Sequence, residues 1–514
     1  MARSTTPSFV TELPLKVSSQ QKKELLAIFQ VGRQLYNACL NEALERMELV
    51  RNSEPYQQAK KLNRTRDKKQ RRELFREARK LYRFSDYDLQ SFATLTAKKS
   101  VWIASKIDSH TQQKLGSRAF KAVEKVMFGK AKKVRFKVPS RFKSLESKTN
   151  ASGIRFKNNQ FIWSKLTLEP IMDWTNPVIV HGLNSRVKYC RVVWRFIGNK
   201  RRWYVQLINE GLPYQKPNNY VKDGLVGLDL NINNVAFVAD NKAGLLPFAE
   251  NVPNYDKEVK KLQRKMARSS RINNPDNYEP DTYKKVGNTI RKKKGQIKKS
   301  TKKNKLEWNN SKTYRKIRRR KADLERRRSA YAKSQNRRLV NEILRHGNII
   351  KTENVSIKGW QKRYGKGISL KCPGFFQSEL TRKAVSAGGQ FLAFSTHKTA
   401  LSQVHSSGIR IKKKLSERVH YDVNGFKMHR DLWSAYLSRH VYDDSLSVVD
   451  ALLDYPGVEP SLQDAWKAYE SKSASRVSSS ESRSYHNSSE RISSVEVLNP
   501  APDSLEGRKA RVDA

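Results

Sequence analysis

Three acidic residues far apart in the chain, Asp229, Glu353 and Asp431, offer the clearest chemistry in this sequence. Asp229 interrupts the apolar run Leu225–Leu230. A carboxylate on a buried strand is costly unless something offsets its charge, and a divalent cation is the usual partner. The alternative is an Asp whose backbone geometry turns it to solvent. Glu353 sits at a strand end in the β-rich run Asn348–Val355, and Asp431 starts an amphipathic helix whose buried face is Leu432, Ala435, Tyr436 and Val441. A mixed sheet with an Asp on its first strand, a Glu on a later strand and an Asp on a following helix can converge three carboxylates. Such a cluster can hold two Mg²⁺ ions about 4 Å apart for in-line phosphodiester hydrolysis.

The elements that must position these acids follow from periodicity. Leu225–Leu230 and Val235–Ala239 flank Asn231–Asn234 and read as a buried hairpin. At the start, Phe9–Val17 reads as a strand, Ser18 with Gln21 fits a capping box, and Leu25, Ile28, Leu35, Leu40 and Met47 then recur at helical spacing. Arg51–Arg83 reads as charged, exposed helix, and a further amphipathic region carries Phe92, Leu95, Val101, Trp102, Leu115, Phe120 and Met127. Past Gly129 the period changes to two: Val134–Val138 alternates, one hairpin turns at Asn158-Asn159 and another at Gly198–Lys200. Arg135, Lys137 and Arg155 lie between aromatics here, a pattern that suits phosphate contact and base stacking, although a solvated strand face has the same pattern. The region reads as a β-barrel-like module.

Charge narrows the partners. Among 514 residues, 104 Lys and Arg against 48 Asp and Glu give a formal charge of +56, which repels itself unless a polyanion neutralises it. Nucleic acid is the leading partner. No apolar run approaches the roughly 20 residues of a membrane span, and the N-terminus lacks a secretory core. Cys39, Cys190 and Cys372 are widely separated, which argues against a disulfide framework and a cysteine zinc site and suits a reducing cytosol. Residues 257–338 are the most basic stretch; Arg318, Arg319, Arg320, Arg326, Arg327 and Arg328 lie on a long predicted helix whose apolar stripe is only Tyr314, Ile317, Leu324 and Tyr331. Most of its circumference is left to water or phosphate.

Gly227-Leu-Asp-Leu230, Thr352-Glu-Asn-Val355 and His429-Arg-Asp-Leu-Trp-Ser-Ala435 resemble the three motifs of a RuvC nuclease domain, of the RNase H fold, in the form found in TnpB. TnpB proteins are transposon-encoded relatives of type V CRISPR effectors. Ser117–Val123, Lys130–Phe136, Pro373–Ser378 and Leu401–Gln403 also match that family. The resemblance covers roughly Phe9 to Val441. It implies an α/β RuvC (RNase H-like) domain split by a long basic helical insert, with an N-terminal wedge β-barrel and an inserted α-helical recognition module. The corresponding boundaries are 1–18 for the first wedge strand, 19–128 for the recognition module and 129–219 for the wedge barrel. The RuvC-like domain spans 220–395 with its insert at 257–338, then a degenerate zinc-ribbon region 396–428 and the last RuvC helix 429–442. The implied activity is RNA-guided, Mg²⁺-dependent DNA cleavage with Asp229, Glu353 and Asp431 as metal ligands. Its implied partners are a guide RNA from the transposon end and a double-stranded DNA target, in a cytoplasmic, nucleoid-associated setting. A non-cleaving or decayed RNA-guided binder of the same family is the alternative.

Three departures from the family pattern stand out. Asn231 replaces a frequent glycine, and Trp433 stands where the family tends to carry Asn. The ribbon cysteines are missing: His405, Gly408, Tyr421 and Asn424 occupy their positions, so no closed four-ligand site remains and structural zinc is expected to be lost. A rearranged set from His405, His420 and Asp422 is the remaining metal option. From Asp443 the chain turns acidic and then Ser-rich, and 443–514 reads as one short helix near Ser447–Leu453 followed by disorder.

Overall fold

A computed structural model of the chain describes residues 6–198, 200–287, 289–300, 306–414 and 416–485. In chain order its first elements are β1 (Ser8–Lys16), α1 (Ser19–Asn52), α2 (Glu54–Lys61), α3 (Lys68–Leu81), α4 (Asp86–Lys99), α5 (Val101–Ala104) and α6 (Ser109–Met127). Then come β2 (Ser144–Glu146), β3 (Ile154–Lys157), β4 (Gln160–Trp163), β5 (Leu166–Pro170), α7 (Pro177–Asn184), β6 (Val187–Ile197) and β7 (Lys200–Glu210). These are followed by β8 (Leu225–Leu230), β9 (Asn234–Val238), β10 (Ala243–Pro247), α8 (Asp256–Asn273), β11 (Thr282–Val286), β12 (Thr289–Lys293), α9 (Lys312–Leu344) and β13 (Ile349–Glu353). The last are α10 (Ile357–Tyr364), α11 (Lys366–Lys371), α12 (Pro373–Ser386), β14 (Gln390–Phe394), α13 (Thr396–Thr399), β15 (Val419–Tyr421), β16 (Lys427–His429), α14 (Arg430–Arg439) and α15 (Val448–Tyr485). The chain divides into two compact units, Met1–Tyr220 with Asn251–Ala332, and Val221–Glu250 with Lys333–Ala514.

In the first unit α1 starts where its capping box predicts. The Ser18 hydroxyl accepts from the Gln21 N–H at 3.2 Å, and the Ser18 N–H donates to Gln21 Oε1 at 2.9 Å. Both bonds satisfy N–H groups that the first helical turn leaves orphaned. Ser18→Ala is expected to cost about 1 kcal/mol, read from thermal unfolding. The seven strands β2-β6-β7-β1-β5-β4-β3 form one antiparallel sheet in that order. It is not the closed barrel expected, because the terminal strands β2 and β3 form no ladder with each other. Strand β3 finds a side-chain partner instead: the Asn150 amide accepts from Phe156 N–H at 2.8 Å and donates to Phe156 C=O at 3.0 Å.

Residues 134–138 alternate like a strand yet form none. The Asn37 side chain accepts from Lys137 N–H at 2.8 Å and donates to its carbonyl at 3.0 Å, so the backbone groups a neighbouring strand would pair are already taken. Val101 and Trp102, expected on a buried face, are exposed. The basic segment is also not helical throughout. Between α8 and α9 the strands β11 and β12 form a hairpin, braced where Asp281 meets Arg271 at 3.0 Å and Lys292 at 3.1 Å. Helices α8 and α9 meet through Val259, Leu262 and Leu324 with Ile317 against them; of the stripe expected on α9, Leu324 and Ile317 pack here while Tyr331 is exposed.

The second unit is built on a five-stranded sheet of order β10-β9-β8-β13-β14. Strands β8, β9 and β10 are antiparallel, while β13 runs parallel to both β8 and β14. Its two faces carry separate cores. Val226, Leu228, Leu230, Val235 and Phe237 pack with Ile343, Leu344, Phe376 and Leu380. Ala236 and Val238 pack with Leu432, Trp433, Ala435 and Tyr436 of α14. Side chains alternate along a strand, so Gly227 and Asp229 lie on the α14 face.

Two expectations fail at the end of this unit. Helix α14 is buried on every side rather than amphipathic. The segment after it is not a short helix followed by disorder: α15 runs to Tyr485 and adds Val458, Leu462 and Ala465 to the α14 core, with Tyr455, Trp466 and Tyr469 against it. That cover is why α14 has no solvent face. Residues 486–514 of the expected tail lie outside the described residues.

Candidate active site

Asp229 stands next to last on β8, Glu353 last on β13 and Asp431 in the first turn of α14. Thr352 pairs with Leu228 across the parallel β13–β8 ladder, so Glu353 and Asp229 sit one step further along neighbouring strands. Helix α14 crosses the same face, and Gly227 sets how closely. A Cβ at Gly227 would fall 2.1 Å from the Ala435 carbonyl and 2.5 Å from Ser438 Oγ, so only glycine lets the helix approach. Gly227→Ala is expected to cost about 1–3 kcal/mol through overpacking, read as a fall in unfolding temperature.

Each acid is held by local partners. The Asn231 amide donates to Asp229 Oδ2 at 3.2 Å and so braces the acid. Glu353 Oε1 accepts the Leu401 N–H at 3.4 Å. His429 caps α14, its Nδ1 accepting the Asp431 N–H at 3.3 Å. Arg418 Nη1 and Arg430 Nε both lie 3.8 Å from Asp431 Oδ1.

The charges of Asp431 and Glu353 act on Asp229. The Asp229 carboxyl is pushed well above its ordinary value, first by burial and then by the charges of Asp431 and Glu353, against the Asn231 hydrogen bond and Arg430. Glu353 is raised by burial, opposed by hydrogen bonds from Leu401 and Thr399. Asp229 keeps partial solvent access. The structure therefore places Glu353 and Asp431 close enough to Asp229 for their charges to act on it. An oxygen-only donor set in which two of the negative charges raise the proton affinity of the third suits a hard divalent cation such as Mg²⁺.

The ribbon positions do not converge as a ligand set. Gly408 turns the chain at φ +82°, Tyr421 is 69% exposed, and the Asn424 amide donates to Ser406 Oγ at 2.7 Å. The fourth, His405, is buried and instead approaches His420 and Asp422; the ligand-type atoms of those three lie within 4.8 Å of one another. Ser406 and Lys413 join this cluster without any signal in the sequence.

The basic residues are distributed between ion pairs and open surface. Arg320 pairs with Glu258 at 2.7 Å, Arg326 and Arg327 with Asp323 at 2.7 and 3.0 Å, and Arg328 with Asp256 at 2.9 Å. Arg319 lies over the Phe196 ring, Arg318 and Arg135 are exposed, Lys137 is half-buried, and Arg155 Nε is buried without a hydrogen-bond partner. A groove of about 1380 Å³ in the first unit, lined by Tyr56, Arg64, Arg71, Phe75, Arg79 and Phe128 among others, gathers cations and rings more densely. Arg71 sits over Phe75 and Arg79 over Phe128. The sequence showed this stretch only as charged helix.

No family model matches the chain. No curated protein matches it. Among solved structures, the chain is similar to a Cas12f1–sgRNA–target DNA complex at TM-score 0.41 and 12% identity, over 84% of this chain and 98% of that one. It is similar to a CRISPR-Cas12f ternary complex at TM-score 0.26 and 13% identity, over 81% of each chain. Likeness at this level carries no functional weight; the geometry above does. No helix of the described residues is long and apolar enough to cross a membrane.

Proposed function

We propose that this chain is a TnpB-like, RNA-guided DNA endonuclease that hydrolyses phosphodiesters with Mg²⁺ at Asp229, Glu353 and Asp431. The observation that carries the reading is the convergence of these acids on one face of the five-stranded sheet, felt as the raised proton affinity of Asp229. The strand order, with antiparallel β8–β10 extended by parallel β13 and β14, supports the RuvC resemblance of the motifs. Mg²⁺ bound there supplies Lewis acidity and an activated water. The protein's part is to orient oxygen donors: Asn231 fixes Asp229, the Leu401 N–H fixes Glu353, and the His429 cap fixes Asp431. Arg418, more than half exposed beside Asp431, is placed to meet an incoming phosphate oxygen.

A guide RNA from the transposon end and a DNA target are the proposed partners, in a cytoplasmic, nucleoid-associated setting. The charge of +56 and the ring-lined basic groove support a polyanionic partner. RNA recovered from the purified protein tests this: one discrete species is expected, whereas a broad mixture overturns guided function. The loss of the ribbon cysteines favours a second reading, a binder that no longer cuts. Matched DNA left intact with Mg²⁺ by the RNA-loaded protein would favour it.

A further inference from the structure

The tightest group of metal-ligand side chains among the described residues is His405, His420 and Asp422, all buried. All but one of the ligand atoms that a cation would need are already committed, the exception being His405 Nε2. A carboxylate offers about four acceptor sites. Asp422 Oδ1 accepts from Ser406 N–H at 2.8 Å and His420 Nε2 at 3.1 Å; Oδ2 accepts from the Ser406 hydroxyl at 2.5 Å and Asn424 N–H at 3.0 Å. His420 Nδ1 contacts the Lys413 ammonium, which can only donate, so the ring proton sits on Nε2 and points to Asp422. His405 Nδ1 accepts the Val423 N–H at 3.2 Å, leaving its buried Nε2 without a partner.

A metal would have to break these bonds, displace a lysine charge and accept three ligands where a structural zinc takes four. The structural zinc that the family resemblance implies therefore does not fit these residues. We propose that Asp422 is a metal-independent clasp. Its carboxylate, rather than an ion, ties the 405–409 turn to the β15–β16 hairpin. That hairpin pairs Val419 with His429 and leads directly into Asp431, so the clasp is a positioning device for the last candidate ligand. The titration states agree. Hydrogen bonds from Ser406, Asn424 and His420 hold Asp422 down at about 2 although burial pulls the other way. Burial and then the Lys413 charge push His420 down to about 4, against its bond to Asp422.

The test is metal content and thermal unfolding of the full chain as purified. The expected result is zinc far below one ion per chain, and an unfolding temperature unmoved by EDTA or added Zn²⁺. Ser406→Ala is expected to lower that temperature by about 3 °C, and Asp422→Asn by more. Should Asp422→Asn fail to fold, Ser406→Ala and Lys413→Met still read the clasp. One zinc per chain, lost in His405→Ala, would overturn the proposal, as would an unfolding temperature that Ser406→Ala and Lys413→Met leave unchanged. These readouts do not involve cleavage, so the clasp and the nuclease reading stand or fall separately.

Discussion

Asp229→Asn is expected to lower Mg²⁺-dependent DNA cleavage by about 1000-fold or more and, in metal-free protein, to leave stability unchanged or raise it. The first part follows from losing one of the donors that orient the cation: metal stabilisation is worth several kcal/mol, and about 4 kcal/mol is a factor of about 1000. The second follows from the direction of the Asp229 shift, which burial, Asp431 and Glu353 all drive upward. A carboxyl whose folded-state value lies above its ordinary 3.8 contributes stability below that pH and loses it as pH rises through the folded value. Near neutrality its charge is a burden that only a cation relieves. The amide removes the charge and keeps the shape. Cleavage of matched DNA, with unfolding measured in EDTA, checks both parts; a variant that cuts normally, or melts markedly earlier, contradicts the assignment. Glu353→Gln and Asp431→Asn are expected to lose cleavage similarly.

Trp433→Ala is expected to destabilise the second unit by about 3–5 kcal/mol, the usual cost of truncating a buried aromatic. Trp433 is 2% exposed, stacks on His420 at 5.2 Å between ring centres and meets Phe426 and Tyr455 edge-on. Its Nε1 donates to the Val404 carbonyl at 2.8 Å, so truncation leaves a cavity and an orphaned acceptor together. Trp433→Phe keeps much of the packing but not the bond, and should recover most of the loss. Calorimetry or chemical denaturation reads both; a loss below about 1 kcal/mol in the alanine variant would show that the surrounding rings close the gap. Trp433 is thus a keystone between α14 and the segment around Val404 and His420.

What could be read from the sequence was local. The capping box at Ser18, the turn at Asn158-Asn159 with both residues at positive φ, and the 231–234 turn depend on neighbouring residues and appear where expected. The acids could be picked out singly, but their meeting depends on the β13–β8 register and on Gly227 opposite Ala435, which no short window contains. The failures share a cause. Residues 134–138 and the barrel closure were lost to Asn37 and Asn150, whose amides take backbone groups that a neighbouring strand would otherwise pair. Helix α15 was hidden by Pro456, Pro460 and Ser-rich composition, which outweigh the spacing of Val458, Leu462 and Ala465 until a partner surface exists to bury them.

The burial of α14 under α15 fixes an order of assembly during translation. The first carboxylate leaves the ribosome some 200 residues before the third, and the helix bearing the third has apolar flanks until the residues beyond 448 emerge. A nascent or prematurely terminated chain carries its basic helices well before α14 is covered and the three acids are set in place. On the proposed nuclease reading, competence to cut would be reserved for chains completed through Tyr469.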